Sequence, residues 1–267
     1  MATLGFIGTG HMGGALARAA CKTVPGDEVF LSNRTMEKAQ ALAQELGCQV
    51  ADNEAIAQSA DFIFLGVKPQ MMADLLAELA PILAERGTRF ILVTMAAGLS
   101  IADIRRLSGG EYPVLRIMPN TPSAIGAGMI LYAMDGVTKP EESEFLAALS
   151  GAGTLSPLAE HLMDAGSAVS GCGPAFAALF LEALADGGVA CGLSRAQATE
   201  CAARMVIGTA RLVLETGQQP GALKDAVCSP GGSTIQGVRT LEEAGFRGGV
   251  MDAVIAAYEK GVELGKS

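Results

Sequence analysis

Uninterrupted apolar runs recur along the first half of the chain, and stretches with apolar residues at helical spacing lie between them. Residues 3–7, 61–67 and 89–95 read as buried strands of the kind covered by helices on both faces of a parallel sheet. Further strands are predicted at 28–32, 49–50, 114–118, 128–133 and 153–156. Helices are predicted at 11–21, at 35–46 with Thr35 as N-cap, at 52–59, 70–84, 100–107 with Ser100 as N-cap, and 141–149. Strands separated by helices of this length predict a doubly wound α/β domain, a Rossmann arrangement, over residues 1–159.

From residue 160 the rhythm changes. No strand is predicted, and helices are expected at 174–190, 194–216, 220–227, 233–244 and 246–264, an all-α domain over residues 160–267. The first of these is apolar nearly all round, so it needs burial on every side. A bundle of about a hundred residues buries surface inefficiently alone, which predicts an obligate homodimer through this part. The apolar run after Pro174 is interrupted by Glu182 and Asp186, so it is expected to be too short for a membrane span.

Composition narrows the class. Half the residues are hydrophobic but only 4% are aromatic, so the core is built from Ala, Leu, Val, Ile and Met. The net charge of −9, without a basic run, argues against nucleic acid as a partner. Six cysteines are scattered with no C-x-x-C pair, and two histidines stand far apart, which suits reduced thiols and no metal. The N-terminus enters a strand with no charged leader before it. A soluble cytoplasmic protein is expected.

The first turn carries the clearest chemistry. Gly8-x-Gly10-x-x-Gly13 lies between a predicted strand and a predicted helix, the context a dinucleotide fingerprint requires. Gly8 permits the sharp turn, Gly10 lets a pyrophosphate approach the backbone, and Gly13 lets the helix lie close to the strand. The free N–H groups and positive dipole end of that helix favour phosphate. NAD-binding folds place an acid at the end of the second strand. This chain has Ser32-Asn33-Arg34-Thr35 there. Hydroxyl, amide and guanidinium groups suit a 2′-phosphate, so NADPH is expected, with NADH as the alternative. Near the C-terminus, Pro230-Gly231-Gly232 turns into a helix that starts at Ser233-Thr234, where free N–H groups suit a carboxylate or serve as an ordinary helix start.

Several stretches together closely resemble the pyrroline-5-carboxylate reductase family. They are Val67-Lys68-Pro69-Gln70, Met95-Ala96-Ala97-Gly98, Arg116-Ile117-Met118-Pro119-Asn120-Thr121-Pro122, Ser170-Gly171-Cys172-Gly173-Pro174 and Ser229-Pro230-Gly231-Gly232-Ser233-Thr234. They follow the family's order across nearly the whole chain. The resemblance implies an NAD(P)H-binding Rossmann domain, an interlocked helical dimer and dimers that assemble five at a time into decamers. It implies reduction of the C=N bond of Δ1-pyrroline-5-carboxylate to L-proline. By resemblance, Ile7, Gly8, Thr9, Gly10, His11 and Met12 cradle the pyrophosphate. Ser32, Asn33, Arg34 and Asn53 attend the adenosine end. Val67, Lys68 and Pro69, with Met95, Ala96 and Ala97, line the path to the nicotinamide. Gly232, Ser233 and Thr234 bind the substrate, with the Ser233 and Thr234 amides on its carboxylate and Glu160 lining the same pocket, and Thr234 is the catalytic residue, its hydroxyl near the ring nitrogen either donating a proton or only orienting the substrate.

A protonated imine is already electrophilic, so orientation and exclusion of water suffice and no obligatory acid stands out. Lys68 precedes Pro69 at a strand end, which suits cofactor proximity better than proton transfer. Cys172 and Ala165-Gly166-Ser167-Ala168 depart from the family's usual residues without touching the motifs. A dehydrogenase of the β-hydroxyacid type would need a lysine early in the second domain, and none lies between Glu160 and Gly221. A silent NADPH-binding sensor would not need the Gly231–Thr234 helix start.

Overall fold

In the computed structural model, residues 2–265 are described. The strands are β1 (Leu4–Ile7), β2 (Val29–Ser32), β3 (Gln49–Val50), β4 (Phe62–Leu65), β5 (Ile91–Thr94), β6 (Val114–Met118), β7 (Gly128–Asp135) and β8 (Gly153–Pro157). Between them lie α1 (His11–Ala20), α2 (Met36–Leu46), α3 (Asn53–Ser59), α4 (Met72–Glu85), α5 (Ile101–Ser108) and α6 (Lys139–Leu149). The chain then continues through α7 (Met163–Ser170), α8 (Gly173–Ala190), α9 (Arg195–Thr216), α10 (Pro220–Ala226), α11 (Ser233–Glu243) and α12 (Phe246–Leu264).

The strands form one sheet in the order β3-β2-β1-β4-β5-β6-β7-β8. Every pair is parallel except β6 and β7. That exception has a simple cause. Only a short 3-10 segment joins the two strands, whereas a parallel return needs a crossover of a dozen residues or more.

The continuous apolar strands are buried on both faces, as their sequence requires. Leu4, Phe6, Phe62 and Phe64 point to one core layer, while Ile7, Ile63 and Leu65 point to the other. Phe6 and Phe64 stack across neighbouring strands with centroids 4.3 Å apart. The strand order reverses between β1 and β4, and a doubly wound sheet opens a crevice at the carboxyl ends of such a pair.

Two compact units are present. The first holds the residues up to Cys172 and those from Ala257 onward, and the second holds Gly173–Ala256. Helix α7, which the sequence did not predict, packs on β7 and buries Met163 and Ala168. The second unit is all-helical. Helices α8 and α9 pack together, Asp186 pairs with Arg195, and Phe180 meets Phe246. Among its described residues only Ala185, Ala198 and Ala202 are buried apolar side chains.

One expectation is corrected. Residues Glu160–Ala190 are long and apolar enough to cross a membrane by length and composition. The sequence reading began the apolar run at Pro174, but the helical stretch starts well before it. Thr35, for its part, holds the N-cap position of α2 without a side-chain cap bond.

Candidate cofactor cleft and substrate-binding helix start

The fingerprint turn is built by three glycines. Gly8 has φ +96°, a conformation that L side chains rarely adopt. A Cβ on Gly13 would lie 2.1 Å from the Gly8 carbonyl oxygen, and one on Gly66 would lie 2.3 Å from it. Gly66 follows β4 and was not singled out in the sequence. Its signal was a glycine closing an apolar strand beside the switch point. Gly10 behaves differently, since a Cβ there would meet nothing within 4 Å. Its open side borders a cleft of about 740 Å³.

That cleft brings together Ile7, Gly8, Gly10, Asn33, Arg34, Asn53, Val67 and Lys68 of the predicted cofactor residues. It adds Thr35, Lys38 and Gly66, and a wall from α4 carrying Asp74 and Glu78. Thr9, His11, Met12, Ser32, Pro69, Met95, Ala96 and Ala97 do not line it. Ser32 is buried, and its hydroxyl donates to Asn53 Oδ1 at 2.6 Å, so it fixes Asn53 rather than facing the cleft. Thr9 is also buried, and its hydroxyl has no partner. Met95–Ala97 follow β5, and the Ala96 N–H donates to Thr94 Oγ1 at 3.3 Å.

The electrostatics of the cleft are distinctive. Among the described residues, nearly every lysine and arginine has an ion pair, hydrogen bond or ring contact. The exceptions are Lys22, Arg34, Lys38 and Lys68, and the last three line this cleft. Lys38 was missed because its signal, a cation one helical turn after Arg34, is common on solvated helix faces. Helix α1 starts at the cleft with Gly10 as N-cap, no side-chain cap bond and no acid in its first turn. Free N–H groups, an open glycine and three unpaired cations fit a dinucleotide pyrophosphate and a 2′-phosphate.

The second candidate site lies on α11. Gly231 has φ +69°, and the Gly232 N–H donates to the Ser229 carbonyl at 3.0 Å. Gly232 is the N-cap, no side chain caps the helix and its first turn holds no acid. Ser233 and Thr234 are exposed, so the helix presents free N–H groups and two hydroxyls. Gly232, Ser233 and Thr234 belong to the second unit, and Glu160 and the cofactor residues to the first.

Glu160 has defined partners. Its Oε1 accepts from the Ile101 N–H at 2.6 Å, at the start of α5, and lies 3.7 Å from Arg116 Nη1. It lines a separate cavity of about 720 Å³ with Arg105 and Asp135. Arg116 is buried and its Nη2 donates to Asp164 Oδ1 at 2.7 Å. Asn120 is structural too, donating to the Ser170 carbonyl and accepting from the Met129 N–H, each at 3.0 Å. The first lysine after Glu160, Lys224, pairs with its neighbour Asp225. No group of three or more metal-ligating side chains occurs among the described residues.

Known proteins resemble both parts of the chain. Residues 160–264 match the family described as pyrroline-5-carboxylate reductase dimerisation, and residues 3–98 match the family described as NADP oxidoreductase, coenzyme F420-dependent. The pyrroline-5-carboxylate reductase of Escherichia coli is 39% identical over 99% of this chain and 98% of its own length. The Synechocystis enzyme of that name is 40% identical over 98% of each chain. Among solved structures, the Plasmodium falciparum pyrroline carboxylate reductase with NADP bound superposes with a TM-score of 0.86. It is 31% identical over 99% of this chain and 98% of its own. The Coxiella burnetii enzyme gives a TM-score of 0.89 at 29% identity over 98% of each chain.

Proposed function

This chain belongs to the pyrroline-5-carboxylate reductase family, and we propose that its two units divide the reaction between them, the first holding the cofactor and the second the substrate. The protein is an NAD(P)H-dependent oxidoreductase that reduces Δ1-pyrroline-5-carboxylate to L-proline, the final step of proline biosynthesis. By function, residues 1–159 are the cofactor domain and 160–267 the substrate and dimerisation domain.

When bound, NADPH supplies the hydride for the C=N bond. Gly8, Gly10 and the amides that open α1 hold the pyrophosphate, together with the neighbouring Ile7, Thr9, His11 and Met12. Asn33 and Arg34 hold the 2′-phosphate end, with Lys38 as a further cation, and Ser32 keeps Asn53 turned to the adenosine. Val67, Lys68, Pro69, Met95, Ala96 and Ala97 line the nicotinamide path.

The uncapped start of α11 carries the substrate assignment. The N–H groups of Ser233 and Thr234 bind the carboxylate at the positive end of the helix. Gly232 lets the carboxylate approach the backbone. The Thr234 hydroxyl orients the ring nitrogen, and Glu160 borders the substrate pocket. Because the iminium arrives protonated, the residues need only orient it and exclude water.

The dimerisation region supports oligomerisation. We assign it to a homodimer, with five dimers forming a decamer in the cytoplasm. The apolar surface of α8 then goes to a second copy rather than to a membrane. The test is NADPH oxidation at 340 nm on adding Δ1-pyrroline-5-carboxylate, with Thr234→Ala beside the wild type. Turnover to L-proline that falls in the variant supports the assignment. Unchanged turnover removes Thr234 from the site, and NADPH binding without turnover favours a sensor.

A further inference from the structure

The loop after β5 is held at both ends by bonds already described or local to α5. On its β5 side, the Ala96 N–H is fixed to the fully buried Thr94. On its α5 side, Ser100 and Asp103 form a reciprocal capping box, and Glu160 takes the Ile101 N–H. Between these anchors stands Gly98, with φ +78°. It is pressed against the end of α12. A Cβ on Gly98 would lie 2.7 Å from Gly265 Cα and 2.9 Å from Gly265 N, and a Cβ on Gly265 would lie 2.7 Å from the Gly98 carbonyl oxygen. The two backbones meet with no side chain between them, and both residues belong to the first compact unit.

The left-handed φ of Gly98 already favours glycine there, whereas Gly265 is not explained by its own conformation. Gly265 has no positive φ, so its backbone conformation does not require glycine. Its N–H donates to the Gly261 carbonyl at 3.2 Å, so it ends α12. Gly261 lies one turn earlier and has open space where a Cβ would stand. The requirement for glycine on this part of α12 is therefore confined to the place that touches the loop. We propose that Gly265 is a positioning residue for the nicotinamide end of the cofactor site, acting through its backbone contact with Gly98. The inference rests on the assignment of Met95, Ala96 and Ala97 to the nicotinamide path. A methyl group at Gly265 must displace either the loop or the helix end, because backbone atoms are the obstruction. Displacement of a positioning element by a fraction of an ångström to one ångström lowers rates by an order of magnitude or more.

The decisive experiment compares Gly265→Ala with Gly261→Ala in the full chain. Binding of NADPH and of 2′,5′-ADP, which lacks the nicotinamide end, is measured by calorimetry, and kcat and thermal midpoint are measured alongside. For Gly265→Ala, the expected result is NADPH affinity and kcat each down by about tenfold, with 2′,5′-ADP affinity unchanged. Gly261→Ala should match the wild type throughout. A Gly265→Ala protein with wild-type NADPH affinity and kcat would overturn the inference. So would equal weakening of NADPH and 2′,5′-ADP with a lowered thermal midpoint, the sign of a general packing contact. Wild-type protein that bound neither ligand would overturn the cofactor assignment itself and the inference with it. Normal wild-type binding confines any failure to Gly265.

Discussion

The two compact units solve burial in opposite ways. The first encloses a sheet between two apolar layers, and its largest side chains, such as Phe6, Phe62, Phe64 and Phe145, are fully buried. The second is as apolar in sequence but buries only three alanines within the chain. Leu179, Ile207, Leu214 and Met251 stand between 60% and 83% exposed, on helices of a region matched to dimerisation. A lone bundle of this size with no buried large side chain lacks the burial that offsets chain entropy. The first unit's fold is thus explained by its own contacts, while the second unit needs burial beyond itself, in keeping with its match to a dimerisation family.

The sharpest break of this contrast is a charge on the exposed apolar face. Leu179→Glu and Ile207→Glu should each shift the protein from dimer or larger to monomer in sedimentation equilibrium and abolish turnover. Burying an unpaired carboxylate costs several kcal/mol. Variants that keep the wild-type mass and activity would mean the second unit stands without that face.

Next in size is a pair of substitutions within the first unit. Gly13→Ala forces a methyl group to within 2.1 Å of the Gly8 oxygen. It should lower stability by about 1–3 kcal/mol and weaken NADPH at least tenfold. Gly10→Ala meets nothing in the chain itself. It should leave the thermal midpoint unchanged and still weaken NADPH about tenfold or more, because its methyl group occupies the pyrophosphate approach. Equal effects of the two on stability would refute the separate roles given to these glycines.

A smaller effect separates the cations. Arg34→Ala should weaken NADPH about tenfold while leaving NADH nearly unchanged, the size of a lost charge-assisted bond to the 2′-phosphate. Lys38→Ala should do the same about threefold, and both losses should shrink with added salt. Equal weakening of both cofactors in titrations would move these residues away from the 2′-phosphate.

What the sequence revealed follows the same division. Leu4–Ile7 and Phe62–Leu65 announced themselves as buried strands because burial on both faces leaves no polar positions. The α11 start at Ser233 and the Gly8–Gly13 turn were legible because their chemistry is local. Features set by distant partners were not. The antiparallel β7 depends on the short link before it, and α7 on a buried Met163 beneath β7. Gly66 matters through the Gly8 carbonyl, and the Ser32 hydroxyl turns to Asn53, neither of which spacing can reveal.

The smallest expected effect tests whether the first unit's stability is separable from assembly. Glu141 completes a capping box with Thr138 at the start of α6 and forms an ion pair with Arg89. The Arg89 hydrogen bonds, opposed by partial burial and aided by the Thr138 N–H and hydroxyl, hold its carboxyl down to about 2, from an ordinary 4.5. A carboxyl whose pKa is lowered on folding stabilises the protein above its unfolded value. That contribution is full above pH 4.5 and drains away as pH falls through about 2. Arg89 is 53% exposed, so solvent screening reduces the effect to about 1 kcal/mol. Glu141→Gln should therefore lower the unfolding free energy by about that much at pH 7 in urea titration, and the gap from the wild type should close as the pH is lowered toward 2. Mass and NADPH affinity should not change, because the pair lies on α6 and before β5 and lines no part of the cofactor cleft. A variant that lost its oligomeric state along with this small free energy would show that the two units are not stabilised independently.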